Sequence, residues 1–246
     1  AVQDGNADVW VQDLNRGTRT RLTSNPAGEG DPAWSPDGTR IYYSSLQGIG
    51  HDRIVAVASD GDGSPDTVSA GRHPSPSPDG KSLVCTVDRQ GNRDLWIVRL
   101  DRVNMRQPFL ETSSDEGTPS ISPDGRWIAY TSDESGRAEV YIRRYPEGDA
   151  RAQVSVGGGS WPRWTRRGDA IYYISGDALS TVSVGPGPRP VLGLPQTLFP
   201  AAAGDLKLSV DGSEGYPVDA HPDGSRFIAV RRSALPATRS LVFVEN

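Results

Sequence analysis

The chain has 246 residues, a formal net charge of −5 and a pI near 5.3. That acidic balance argues against a nucleic-acid partner, because phosphate binding wants a basic face. Its 28 glycines and 20 prolines, set in only 35% hydrophobic residues, suit a chain that reverses direction often, and no apolar run approaches a membrane span.

The chain opens with Asp8-Val9-Trp10-Val11 and Thr20-Arg21-Leu22-Thr23, which read as the third and fourth strands of a partial unit over residues 1–23. Then a phrase begins to repeat. Trp34-Ser35-Pro36-Asp37-Gly38 precedes Ile41-Tyr42-Tyr43, Ser77-Pro78-Asp79-Gly80 precedes Leu83-Val84, and Ser122-Pro123-Asp124-Gly125 precedes Trp127-Ile128-Ala129-Tyr130. A degenerate copy, Trp164-Thr165-Arg166-Arg167-Gly168, precedes Ile171-Tyr172-Tyr173, and His221-Pro222-Asp223-Gly224 precedes Phe227-Ile228-Ala229-Val230. The turn glycines at 38, 80, 125, 168 and 224 are spaced by 42, 45, 43 and 56 residues.

The phrase has a mechanical reason. Ser, Pro and Gly at the first, second and fourth places favour a type I turn, with the hydroxyl bonding local backbone and glycine accepting a positive φ. Such a turn joins the first two strands of a unit. A third strand follows, as in Asp94-Leu95-Trp96-Ile97-Val98 and Glu139-Val140-Tyr141-Ile142, and then a more polar fourth, as in Asp66-Thr67-Val68 and Gln153-Val154-Ser155-Val156. Alternation over short runs argues strand throughout, and no segment holds a helical period.

A repeat of this length built from four strands predicts an all-β chain, a β-propeller of four-stranded antiparallel blades. Complete blades are expected at about 31–69, 72–110, 117–156 and 160–200, with partial blades at 1–23 and 216–246, in a single domain over 1–246. Six blades need about 258 residues at this period, so six is the expected number.

Aligning the repeats on the turn glycine places Asp31, His73, Thr118 and Trp161 at the entrance of each innermost strand, each followed by a proline. The fifth repeat departs, with Tyr216 ahead of Pro217 and shifted by one. Innermost strands surround a propeller's channel, so Asp31, His73, Thr118, Trp161 and Tyr216 are the candidate ligand- or partner-binding ring at one channel mouth. The loops 47–52, 88–93 and 133–137 are expected on the same face, where function on a rigid scaffold usually sits. Trp34, Ile121 and Trp164 share one repeated place, as do Trp10, Trp96 and Tyr141, and all six are expected to pack in the core.

The sequence holds no catalytic constellation. A Gly-Xaa-Ser-Xaa-Gly elbow, a His-Glu-Xaa-Xaa-His pair and the kinase signatures are all missing, and His51, His73 and His221 fall in separate repeats. Cys85 is alone, which excludes an intrachain disulfide and reads as a small buried hydrophobe. Asp60-Gly61-Asp62-Gly63-Ser64-Pro65-Asp66 has calcium-like alternation of oxygens, but it joins a third to a fourth strand and lacks the closing glutamate, so it reads as a turn. No metal, no cofactor and no catalytic residue are expected.

The Pro-Xaa-Trp-Ser-Pro-Asp-Gly phrase with its following Ile-Tyr-Tyr or Ile-Ala-Tyr resembles the WD40-like (PD40) repeat of the TolB-type β-propellers. Within it, Val140-Tyr141-Ile142-Arg143-Arg144-Tyr145-Pro146, Pro162-Arg163-Trp164 and Ile171-Tyr172-Tyr173-Ile174-Ser175-Gly176-Asp177 resemble the propeller that follows the kinase domain in bacterial serine/threonine protein kinases. The resemblance implies a bacterial, non-catalytic scaffold that binds a protein, a peptide or a small ligand at the channel mouth. The alternatives it leaves open are a periplasmic TolB-like interaction propeller and the gating propeller of a prolyl-oligopeptidase-like hydrolase. It favours a place outside the cytoplasm.

Overall fold

Each Ser-Pro-Asp-Gly turn closes through the same set of bonds. Ser35, Ser77 and Ser122 each donate their hydroxyl to the turn aspartate at 2.6 Å, while their carbonyls accept the amides of Gly38, Gly80 and Gly125 at 2.8–2.9 Å. The glycines take φ of 72°, 68° and 70°, the left-handed region where a Cβ is costly. In the degenerate copy the carboxylate has moved. Thr165 donates to Asp169, beyond the glycine, at 2.7 Å, and Gly168 keeps φ at 72°.

Residues 2–3, 6–48, 50–89, 91–102, 105–200, 218–220, 226–232 and 239–245 are described by the computed structural model. They contain strands and turns and no helix, hence no helix long and apolar enough to cross a membrane. Two compact units make up the chain, Ala1–Ser113 and Ser114–Asn246.

In the first unit, β1 (Val2–Gln3) pairs with β2 (Asn6–Ala7), and β3 (Trp10–Gln12) with β4 (Arg19–Arg21), as two short ribbons. Two four-stranded antiparallel sheets follow in chain order. One holds β5 (Gly28–Trp34), β6 (Arg40–Leu46), β7 (Arg53–Ala58) and β8 (Asp66–Ala70); the other holds β9 (Arg72–Pro76), β10 (Ser82–Arg89), β11 (Asn92–Arg99) and β12 (Arg106–Leu110). Ile54, Ala56 and Tyr42 of the first sheet pack on Leu83, Cys85 and Val87 of the next, so the sheets meet face to face as propeller blades do. Burial pushes the Cys85 thiol up to about 12, which leaves it inert at ordinary pH.

In the second unit, β13 (Glu116–Ile121), β14 (Trp127–Ser132), β15 (Glu139–Arg144) and β16 (Arg151–Gln153) form the next sheet. After it come β17 (Ser160–Trp164), β18 (Ala170–Ser175) and β19 (Ala178–Gly185), whose outer edge is shared by β20 (Val191–Leu192) and β21 (Gln196–Pro200). β22 (Val218–Ala220), β23 (Arg226–Arg232) and β24 (Arg239–Glu245) make a three-stranded sheet. Trp127, Ala129, Val140 and Ile142 pack on Trp164, Ile171, Tyr173 and Val182 of the following sheet.

One core expectation fails. Trp164 is 9% exposed and its Nε1 donates to the Ser120 carbonyl at 3.0 Å, whereas Trp34, at the same place in its repeat, is 54% exposed. The indole of Trp164 lies on a complete preceding sheet. Val9, Val11 and Leu22, in and beside the short β3–β4 ribbon, cover Ile41 and Tyr43 but leave Trp34 out. Ile121 and Tyr141 are buried, while Trp10 and Trp96 are half-buried under arginines of their own sheets, Arg19 at 4.5 Å from the Trp10 centroid and Arg106 at 5.4 Å from Trp96.

Candidate functional site

The positions singled out at the strand entrances share a rare backbone. Asp31, His73, Thr118 and Trp161 have φ of 52°, 54°, 49° and 56°, and they are the non-glycine residues with positive φ among those described. Left-handed φ at a bulky or β-branched residue costs about 1–3 kcal/mol and persists only where the surroundings hold it. The register shows what it accomplishes. Each of these residues and its following proline stand opposite a single residue of the second strand, Tyr43, Cys85, Tyr130 or Tyr173, as a β-bulge. Proline fits there because the bulge has no ladder partner for its missing N–H.

Hydroxyls 13 residues downstream hold the strain. In the first unit Ser44 donates to Asp31 Oδ2 at 3.0 Å and accepts the backbone amide of His73, one blade on, at 3.0 Å. In the second unit Thr131 bonds the Thr118 hydroxyl at 2.7 Å and accepts the Trp161 amide at 3.1 Å. One side chain thus fixes its own bulge and the next one. The last of the series, Ile174, has no hydroxyl, and Trp161 instead packs among Tyr172, Ile174, Leu179, Val218 and Phe227.

In the first unit the bulges are also joined through their side chains. Asp31 Oδ2 lies 3.5 Å from His73 Nε2, and His73 Nδ1 lies 3.2 Å from Thr86 Oγ1. Hydroxyl, imidazole and carboxylate follow in the order of a hydrolytic triad. Yet Thr86 is 1% exposed and Asp31 and His73 are nearly as deep, so a substrate carbonyl has no access to the hydroxyl. The row braces β5, β9 and β10 together. Asp31 Oδ1 is buried with no donor, an uncommon state for a carboxylate oxygen.

The four described ring positions therefore sit where the spacing put them, at the strand entrances, but their side chains are each no more than 8% exposed. The structure joins Asp31 to His73 in one unit, and Thr118 to Trp161 through Thr131 in the other. Tyr216 lies outside the described residues, as does His221. The exposed groups at the same ends of these sheets belong to the loops. Gln47 and Gly48 give their amides to Asp52, and Asp133 accepts the amide of Asp115 at 2.9 Å. The loop residues 133–137 are all exposed.

The Asp60–Asp66 segment folds as an exposed turn. Asp60 accepts the Asp62 amide at 2.9 Å, and Asp66 is drawn away to Arg40 at 2.8 Å. Among the described residues no three His, Cys, Asp or Glu side chains converge to hold a metal ion.

Sequence reasoning missed the hydroxyls and the buried glutamates, Glu29 and Glu139 among them. Glu139 accepts Arg137 Nε, the amides of Gly157 and Gly158, and the Ser155 hydroxyl. Glu29, two residues ahead of Asp31, accepts the Thr23 hydroxyl at 2.7 Å. The hydroxyls carried a signal, since Ser44, Thr86 and Thr131 each stand 13 residues past a bulge.

Residues 69–185 match the PD40 family, described as the TolB beta propeller domain. TolB from Acinetobacter baumannii superposes with a TM-score of 0.75 at 20% identity, over 96% of this chain and 56% of that one, so this chain spans little more than half the length of that protein. A protein assigned as TolB from Agrobacterium tumefaciens gives 0.63 at 16% identity, over 98% of this chain and 99% of its own. A chain of a nidogen/laminin complex gives 0.62 at 13% identity, over 92% and 82%. At these identities the superpositions establish the β-propeller fold.

Proposed function

We propose that the chain, whose residues 69–185 match the TolB beta propeller family, is a non-catalytic propeller that seats a protein or peptide partner at the bulged ends of its blades. One observation carries the reading. Four blades repeat the bulge, the proline and its register, while the bulge residue itself changes from Asp to His to Thr to Trp. A rigid, repeated support under changing chemistry is how a scaffold presents a binding face. The burial of those four side chains assigns them to shaping the seat, and leaves direct contact to the loops 47–52, 88–93 and 133–137.

In this reading Tyr216 is the fifth candidate position of the set. The similar chain from a nidogen/laminin complex supports a protein partner. A place outside the cytoplasm, and a sensory role beside a bacterial kinase domain, are the finer parts of the proposal. Fractionation of the source cells and the neighbouring gene sequence check them.

The seat is tested by short insertions. A three-residue Gly-Ser insertion after Ser135 should abolish capture of the partner, while the same insertion after Arg167, at the opposite end of its sheet, should leave capture intact. The reverse pattern would overturn the proposal.

A further inference from the structure

Glu29 is 4% exposed, and its Oε1 is buried with no donor. Its Oε2 accepts the Thr23 hydroxyl, which in turn accepts the Val9 amide at 2.9 Å. Arg21 Nε donates to the Thr23 carbonyl at 2.8 Å, and the Thr23 hydroxyl ties Val9 to Glu29 of β5. The cation within reach, Arg21, is committed at 2.8 Å to Asp8, whose side chain is fully buried. One guanidinium therefore serves two buried carboxylates. An ionised Glu29 would be a buried charge with a single neutral donor, which is costly.

The groups facing Glu29 agree. Burial raises its pKa most, the Thr23 hydroxyl lowers it, the Asp8 charge raises it and Arg21 lowers it, with a net rise. From β6 comes Tyr43, whose phenol is pushed up to about 12 by burial and by the Glu29 charge. From β5 itself comes Asp31, already paired with His73.

We propose that Glu29 is a proton-operated clasp between the β3–β4 ribbon and β5. With a proton on Oε1, the carboxyl is neutral, Oε2 still accepts from Thr23, and the ribbon is held. When the proton leaves for solvent, a second negative charge appears beside Asp8, and the ribbon is released from β5. Because β5 also carries the Asp31 bulge, proton release loosens the support of that bulge. The clasp stands whether or not the bulged ends seat a partner.

A carboxyl whose folded pKa lies above its unfolded one contributes stability at low pH, and that contribution is lost as pH rises through the folded value. Hydrogen exchange on the full chain reads this at the Val9 amide and at Leu22, whose amide bonds the Val9 carbonyl at 2.9 Å. Protection of both should fall with rising pH, about tenfold for each unit by which the folded pKa exceeds the ordinary one. In Glu29→Gln, which keeps a neutral acceptor, protection should stay level. An unchanged pH dependence in Glu29→Gln overturns the proposal. Carbon NMR of the unsubstituted chain gives an independent reading: a Glu29 carboxyl that titrates above the ordinary glutamate range supports the clasp, and one at or below that range removes it.

Discussion

The joint closed by Ser155 and Glu139 and the joint closed by Thr23 and Glu29 are built from the same part. In each, a buried hydroxyl ends a fourth-strand segment, accepts the amide of the third strand's first core residue (Val140 or Val9), and donates to a glutamate. The glutamates are similarly deep, at 1% and 4% exposure. Their pKa values are nevertheless shifted in opposite directions. Burial works to raise Glu139, but donation from Ser155, Gly158, Arg137 and Gly157 outweighs it and holds the carboxyl below its usual range. Glu29 receives one hydroxyl, and burial wins. Depth alone does not set the state of a buried acid; the count of donors around it does.

The comparison yields five predictions. Ser155→Ala should have the largest effect, because it strands both the Val140 amide and a lone pair of an ionised carboxylate; a loss on the order of 3 kcal/mol is expected by urea denaturation. Thr23→Ala should cost less, since Glu29 has one neutral donor and burial holds its pKa above the ordinary range. Equal losses would break the contrast.

Glu139→Gln should follow, at about 2 kcal/mol near neutrality, since Arg137 loses its anion and two glycine amides lose charge-assisted bonds. A lowered folded pKa gives stability that is present above the ordinary glutamate pKa and lost as pH falls through the folded value. The gap between wild type and Glu139→Gln should therefore close in acid, as denaturation curves at stepped pH will show.

Gly159→Ala sharpens the geometry. Gly159 stands two residues ahead of Trp161, as Glu29 stands two ahead of Asp31, and an added Cβ would lie 2.5 Å from Ser155 Oγ and 2.6 Å from its Cβ. A destabilisation of about 1–3 kcal/mol is expected from that overlap. Where the acid comes from the same blade, the next blade must yield the space. The smallest effect belongs to Glu29→Gln, within about 0.5 kcal/mol of wild type near neutrality, and a loss comparable with that of Glu139→Gln would show that Glu29 is ionised after all.

Much of the fold was legible because it is carried by local chemistry. Ser35, Ser77 and Ser122 form the turns their sequence demands, and the bulge positions follow from counting back from the turn glycines. Their burial was not legible, because the left-handed φ that turns Asp31 and His73 inward leaves no mark in composition. Trp34 and Trp164 show the same limit from the other side. They are one residue in one phrase, and the packing that covers Trp164 but not Trp34 lies outside that phrase. Glu29 and Asp8 are too far apart in sequence, and too ordinary in type, to be read as a pair.

The seat at the bulged ends is tested most directly by a photo-crosslinking map on the full chain. A photoreactive amino acid is placed singly at Gln47, Asn92 and Ser135, and at Asp37, Lys81 and Arg126 on the opposite ends of the same sheets. The expected result is one crosslinked partner shared by the first three positions and missing from the second three. Crosslinks confined to the turn positions would contradict the seat.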